Sequence, residues 1–192
     1  MKGAWLFVLG AVCGVTAMGL PRVITYLHAA LHGSHSGNSA TDAERVHTEE
    51  KFAFTAQAPM EEVAPLFGAE KERMWAPGWN PQFIHPLPVA DERGMVFTVA
   101  HDHRRSVWVN TELDVKNGRI QYVYMIPDAV VTVITLELTP AGSQTRVEVE
   151  YERTALSAEA DAHVRRMAEA DRTSGPDWEK QVNGYLGMVS GR

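Results

Sequence analysis

The sequence predicts an α+β domain, a curved antiparallel sheet wrapped around a long C-terminal helix, preceded by an N-terminal transmembrane or signal helix. Three observations carry this. Apolar and polar residues alternate through successive short runs between Phe52 and Tyr151, the period of half-buried strands. Trp178, Val182, Tyr185, Leu186 and Val189 recur at three- and four-residue spacing, one helical stripe. Gly3 to Leu20 holds no charged residue, and as a helix it covers about 27 Å, roughly the hydrocarbon thickness of a bilayer.

The leader, residues 1–27, reads either as an uncleaved signal anchor or as a signal peptide cut at a small-x-small site such as Val15-Thr-Ala17 or Ala17-Met-Gly19. The run is longer than an ordinary signal core and continues past Arg22, which favours the anchor. Residues 28–45 read as a flexible linker. His28, His32 and His35 share a helical face, but Gly33, Ser34, Ser36, Gly37, Asn38 and Ser39 surround them, and such a composition holds no ligand geometry. Residues 46–190 form the domain.

The charge distribution removes one class of partner. The chain carries a formal charge of −6, and the first acidic residue is Asp42. Without Met1–Thr41 there remain 16 basic against 24 acidic side chains. A nucleic-acid binder needs a cationic face to release counterions, so nucleic acid is excluded as an expectation. Cys13, the only cysteine, lies in the leader, which leaves the domain without a disulfide, a thiolate zinc site or a cysteine nucleophile.

Phe52 and Phe54 mark a first strand that ends before Pro59. A helical piece follows, with Pro59 at its start, Glu61 and Glu62 in its first turn, and Val63, Leu66 and Phe67 on one side. Trp75-Ala-Pro-Gly-Trp79-Asn-Pro81 must be loop. The strand at Gly94–Ala100 offers Met95, Phe97 and Val99 to one face. The strand at Ser106–Val115 offers Val107, Val109, Leu113 and Val115 against Asn110, Glu112 and Asp114, with Trp108 standing on the polar parity. Asn117-Gly118 makes a tight hairpin turn. Arg119–Ile126 places Ile120, Tyr122 and Tyr124 in one phase. Ala129–Thr139 reads as covered on both faces. In Thr145–Tyr151, Val147, Val149 and Tyr151 point inward and Arg146, Glu148 and Glu150 outward. Ser157 is placed to cap a helix with Glu159 and Asp161 in its first turn, and Gly175-Pro176 implies a kink or break.

The stretches Glu72-Arg-Met-Trp75-Ala-Pro-Gly-Trp79-Asn-Pro81, Gly94-Met-Val-Phe97, Ser106-Val-Trp108, Ile120-Gln-Tyr122, Val149-Glu-Tyr151, Thr154-Ala-Leu156-Ser157, Trp178 and Tyr185-Leu186 resemble the SRPBCC superfamily. These are START-like, helix-grip proteins that include polyketide cyclase/dehydrase-like branches. The resemblance runs from Lys51 to Leu186 and points to an uncharacterised bacterial branch. It implies a grip fold enclosing a cavity, and it does not name a substrate.

Trp75, Trp79, Phe97, Trp108, Tyr122 and Tyr124 are the expected cavity residues, with Glu72, Arg73 and His85 as polar groups. His101-Asp102-His103 has metal-ligand residue types beside two repelling cations, Arg104 and Arg105, and reads as a hairpin tip. No phosphate loop, HExxH, GxSxG or EF-hand spacing occurs, so no metal and no cofactor is expected. The expected function is binding of a hydrophobic small molecule or lipid by a membrane-tethered or exported domain. The alternative is a cyclase, dehydratase or hydrolase acting on an aromatic or polyketide-like substrate, which a buried ionisable cluster in the cavity would favour. A third reading, a non-catalytic interaction domain, would show a filled core.

Overall fold

The computed structural model describes residues 44–101 and 104–191. The leader, nearly all of the linker, the His28, His32 and His35 set, Asp102 and His103 lie outside them. No described helix is long and apolar enough to cross a membrane. From Arg45 onward the described residues form one unit.

Seven strands make one curved antiparallel sheet: β1 (His47–Ala56), β2 (Gln82–His85), β3 (Val96–His101), β4 (Arg104–Asp114), β5 (Arg119–Ile126), β6 (Val130–Ala141) and β7 (Gln144–Ala155). Their order is β1-β7-β6-β5-β4-β3-β2, so β1 and β2, neighbours in the chain, are the two opposite edges. The connection between them therefore crosses the sheet. It carries α1 (Met60–Val63) and two 3-10 turns, Ala64–Phe67 and Lys71–Met74, and it brings Val63, Phe67 and Trp75 into the core.

After β7 come α2 (Ala158–Asp171) and α3 (Gly175–Ser190). The C-terminal helical stretch is two helices, broken at Arg172–Ser174, immediately before the Gly175-Pro176 pair that implies a kink or break, with Pro176 inside the first turn of α3, where proline needs no N–H partner. Val182 and Leu186 of α3 are buried, and Trp178 packs on Phe52, Phe54, Phe67 and Trp75. Val189, at the end of the stripe, is exposed. Ser157 occupies the start of α2 without capping it, because its hydroxyl donates to the Asp128 carbonyl at 2.9 Å.

Three further expectations need correction. The short edge strand β2, between Pro81 and Pro86, was not foreseen, since its four residues leave too little alternation to read. On β4 the inward residues are Ser106, Trp108 and Asn110, while Val107 is exposed. A bulge between Asn110 and Glu112 changes the phase, so Leu113 and Val115 return to the core. One inserted residue exchanges the two faces, and that exchange disguised Trp108 as an outward residue. Strand β6 is buried on one face only, with Val131 and Val133 half-exposed on the other.

At the Asn117-Gly118 turn, Gly118 has φ +69°. A Cβ there would run into the Leu138 carbonyl and the Met60 sulfur, so both the conformation and the space demand glycine.

Candidate functional site

The register aligns one residue from every strand into a row across the inner face: Phe83, Phe97, Trp108, Tyr124, Thr132, Arg153 and Thr48. Cross-strand neighbours have Cβ atoms close enough for direct contact, and the row behaves accordingly. Phe83 and Phe97 lie 5.9 Å apart, Phe97 stacks on Trp108 at 5.6 Å, and Trp108 stacks on Tyr124 at 4.3 Å. Tyr124 then hands over to polar chemistry. Its hydroxyl accepts from Arg153 Nη1 at 2.5 Å, and the same nitrogen donates to Thr132 Oγ1 at 3.0 Å.

Arg153 is 1% exposed. A buried guanidinium requires a partner, and Asp171, the last residue of α2, supplies it. Nε donates to Oδ2 at 2.7 Å and Nη2 to Oδ1 at 2.9 Å. The Arg153 cation also lies over the Tyr151 ring, 4.5 Å from its centre. Burial works against the charge on Arg153, but its Tyr124 and Asp171 partners outweigh it and hold the proton more tightly than usual. Burial raises the Asp171 carboxyl, and Arg153 pulls it back.

Beside this pair is a partly enclosed cavity of about 80 Å³, several times what one water needs. Its aromatic wall is Trp75, Trp79, Trp108, Tyr122, Tyr124, Tyr151 and Trp178, and its polar groups include Arg153, Asp171, Ser174 and Glu72. Three of the tryptophans are fixed by their indole N–H groups: Trp75 donates to the Leu66 carbonyl at 2.7 Å, Trp79 to the Ala69 carbonyl at 2.8 Å and Trp108 to Ser106 Oγ at 2.7 Å. The wall is therefore already oriented.

Glu72 is half-buried by surface area and lines the cavity. Burial pushes its carboxyl well above the usual carboxylate range, and the Asp91 carboxylate adds to that. The surrounding protein disfavours its anion more than its surface area alone suggests. Burial, with Glu72 and Asp91, also raises the Tyr122 hydroxyl, which donates to the Phe67 carbonyl. Burial likewise keeps Tyr151 protonated far above neutrality.

Of the expected cavity residues, Trp75, Trp79, Trp108, Tyr122, Tyr124 and Glu72 are in the lining. Phe97 is fully buried one row position behind Trp108 and does not reach the cavity. Arg73 is exposed, donating to the Pro81 carbonyl at 2.6 Å with its cation over Phe83, and His85 is exposed on the edge strand β2. Neither lines the cavity.

Sequence reading missed Arg153, Asp171, Tyr151 and Trp178 as a site. Two signals were present. Arg153 continues the inward parity of Val147, Val149 and Tyr151, where an unpaired charge has no place. Asp171 stands in the last turn of a helix, where the dipole disfavours an anion unless a cation waits there. Among the described residues no group of three or more His, Cys, Asp or Glu is placed to hold a metal.

No protein-family model and no curated protein sequence matches the chain. Solved structures do resemble it. Norcoclaurine synthase from Thalictrum flavum superposes with a TM-score of 0.56 at 12% identity, covering 87% of this chain and all of that one. A point mutant of that synthase in complex with a transition state analogue gives 0.57 at 13% identity, covering 76% and 98%. Ara h 8.0201 gives 0.53 at 11% identity, covering 74% and 99%. At these identities the likeness establishes the fold: a sheet closed by C-terminal helices, as the helix-grip resemblance implies.

Proposed function

We propose that the domain binds a small aromatic molecule in the cavity between the sheet, the β1–β2 connection and the junction of α2 with α3, and that the N-terminal segment holds it at a membrane, outside the cytoplasm. The observation that carries the binding reading is the preset aromatic wall, Trp75, Trp79 and Trp108, each fixed by its own hydrogen bond around an open space. Rigid aromatic walls with a few polar groups are what small-molecule sites share. The volume of about 80 Å³ lies well below the roughly 300–1,000 Å³ of sites for drug-sized ligands, which narrows the ligand from a lipid to a single-ring compound. Titration of the protein with single-ring aromatics, followed by tryptophan fluorescence and native mass spectrometry, tests this. Saturable quenching with one bound molecule supports it, and no saturable change with any of them overturns it.

One observation favours a second reading, proton-transfer catalysis. Glu72 offers the cavity a carboxyl that burial keeps protonated beyond its ordinary range, the property a general acid needs. Proton NMR of the bound ligand in D2O separates the two readings. Hydrogen exchange on the ligand faster than in buffer, and lost in Glu72→Gln, supports catalysis; exchange at the buffer rate leaves binding alone.

A further inference from the structure

The polar end of the cavity holds more donors than acceptors. Arg153 commits all but one of its N–H groups to Asp171, Tyr124 and Thr132. Both Asp171 oxygens are taken by that arginine, and Ser174 Oγ donates to the Ala170 carbonyl. Tyr124 Oη accepts from Arg153, so its own proton needs a different acceptor, and among the described residues none receives it. The Tyr151 hydroxyl makes no hydrogen bond at all among the described residues. Nor is it sealed in protein: among the described residues the fully enclosed side-chain oxygens without a partner are Thr48 Oγ1 and Asn110 Oδ1. Two phenolic O–H groups, on side chains that line one cavity and flank one guanidinium, are therefore left to meet whatever fills it.

Charge restricts the acceptor further. Arg153 and Asp171 neutralise each other at contact distance. An anionic ligand would find no uncompensated cation in the lining. Desolvating a carboxylate without a counter-charge is far costlier than desolvating a neutral acceptor.

We propose that the cavity selects a neutral single-ring aromatic carbonyl compound, its carbonyl oxygen accepting from the Tyr151 and Tyr124 hydroxyls and its ring held by Trp75, Trp79 and Trp108. This rests on the reading of the cavity as a ligand site. A site whose buried donors are met by one ligand discriminates strongly against an analogue that leaves them unpaired.

The test uses the full-length protein and three probes of one size: acetophenone, ethylbenzene, which replaces the carbonyl by a methylene, and benzoate, which is anionic. Tyr151→Phe removes one donor without touching the Arg153 contacts. It should weaken acetophenone about tenfold and leave ethylbenzene within about twofold. In the wild type, the infrared carbonyl stretch of bound acetophenone should lie below its position in hexane, and it should move back toward that position in the variant. Equal effects of Tyr151→Phe on acetophenone and ethylbenzene, or tighter binding of benzoate than of acetophenone, overturn this proposal while the cavity remains a ligand site. Failure of all three probes to bind overturns both.

Discussion

Arg153 and Asp171 meet through two parallel hydrogen bonds, 2.7 Å from Nε and 2.9 Å from Nη2, and join β7, the strand next to the β1 edge, to the end of α2 with both side chains buried. Removing one partner strands the other's charge in the interior, whereas replacing both by apolar groups leaves no buried charge unpaired and takes one donor from Tyr124 and Thr132. Asp171→Ala should therefore cost about 3–5 kcal/mol in urea denaturation, and the double variant Arg153→Met, Asp171→Leu much less. A single-variant loss below about 1 kcal/mol, the range of exposed pairs, would show that water reaches Arg153 when Asp171 is gone.

Trp108 depends on a short polar relay. Its indole donates to Ser106 Oγ at 2.7 Å, and that hydroxyl donates to the Val99 carbonyl at 3.2 Å. Ser106→Ala should leave the indole N–H buried without its acceptor and cost about 1–3 kcal/mol. Adding Trp108→Phe to that background should cost less than Trp108→Phe alone, because phenylalanine has no N–H to satisfy. Additive losses in the denaturation midpoints would contradict this coupling.

The division between what was legible and what was not follows from these same residues. Alternation exposed β5 and β7 because their register runs unbroken, so Tyr122, Tyr124, Val147 and Val149 were placed inward correctly. Strand β4 defeated the same rule, since its bulge shifts the phase between Asn110 and Glu112 and no local sequence signal marks it. The aromatic half of the cavity was readable because Trp75 and Trp79 bracket an obligatory loop. The ionic half was not. Arg153 and Asp171 are 18 residues apart in the chain, and only the return of α2 onto β7 and β1 brings them together.

Glu72 should give stability a pH dependence of definite sign. Its folded-state pKa is raised, first by burial and then by Asp91, so the folded protein holds this proton more tightly than the unfolded chain. The contribution is fully present below the ordinary glutamate pKa and is lost as pH rises through the folded value. Glu72→Gln, which stays neutral, should be as sensitive to urea as the wild type near pH 4 and progressively more stable than it as pH increases. Denaturation midpoints measured from pH 4 to 9 check this. A gap between the two proteins that is constant with pH would mean that Glu72 ionises in the folded state as easily as in water.

The proposed tether makes a prediction about location and about independence. Described residues pin the first strand at its start: the Val46 amide donates to Asp161 Oδ1 at 3.1 Å, and its carbonyl accepts from the Ala155 amide at 2.9 Å. Deleting residues 1–38 removes none of these groups, so the remainder should be soluble and keep its near-ultraviolet circular dichroism. Aggregation with loss of that signal would mean that the leader packs on the domain. For orientation, Lys2 precedes the apolar run and Arg22 follows it, and the proposed export puts the C-terminal side outward. Alkaline phosphatase fused after Arg192 should then be active and a green fluorescent reporter at the same place dark, since the first works only when exported and the second only when retained. Strong fluorescence with inactive phosphatase would place the domain inside and end the export proposal. If replacing Val15, Ala17 and Gly19 by bulky residues leaves the mobility on gels unchanged, the leader is retained as an anchor; a slower-migrating product would identify it as a cleaved signal peptide.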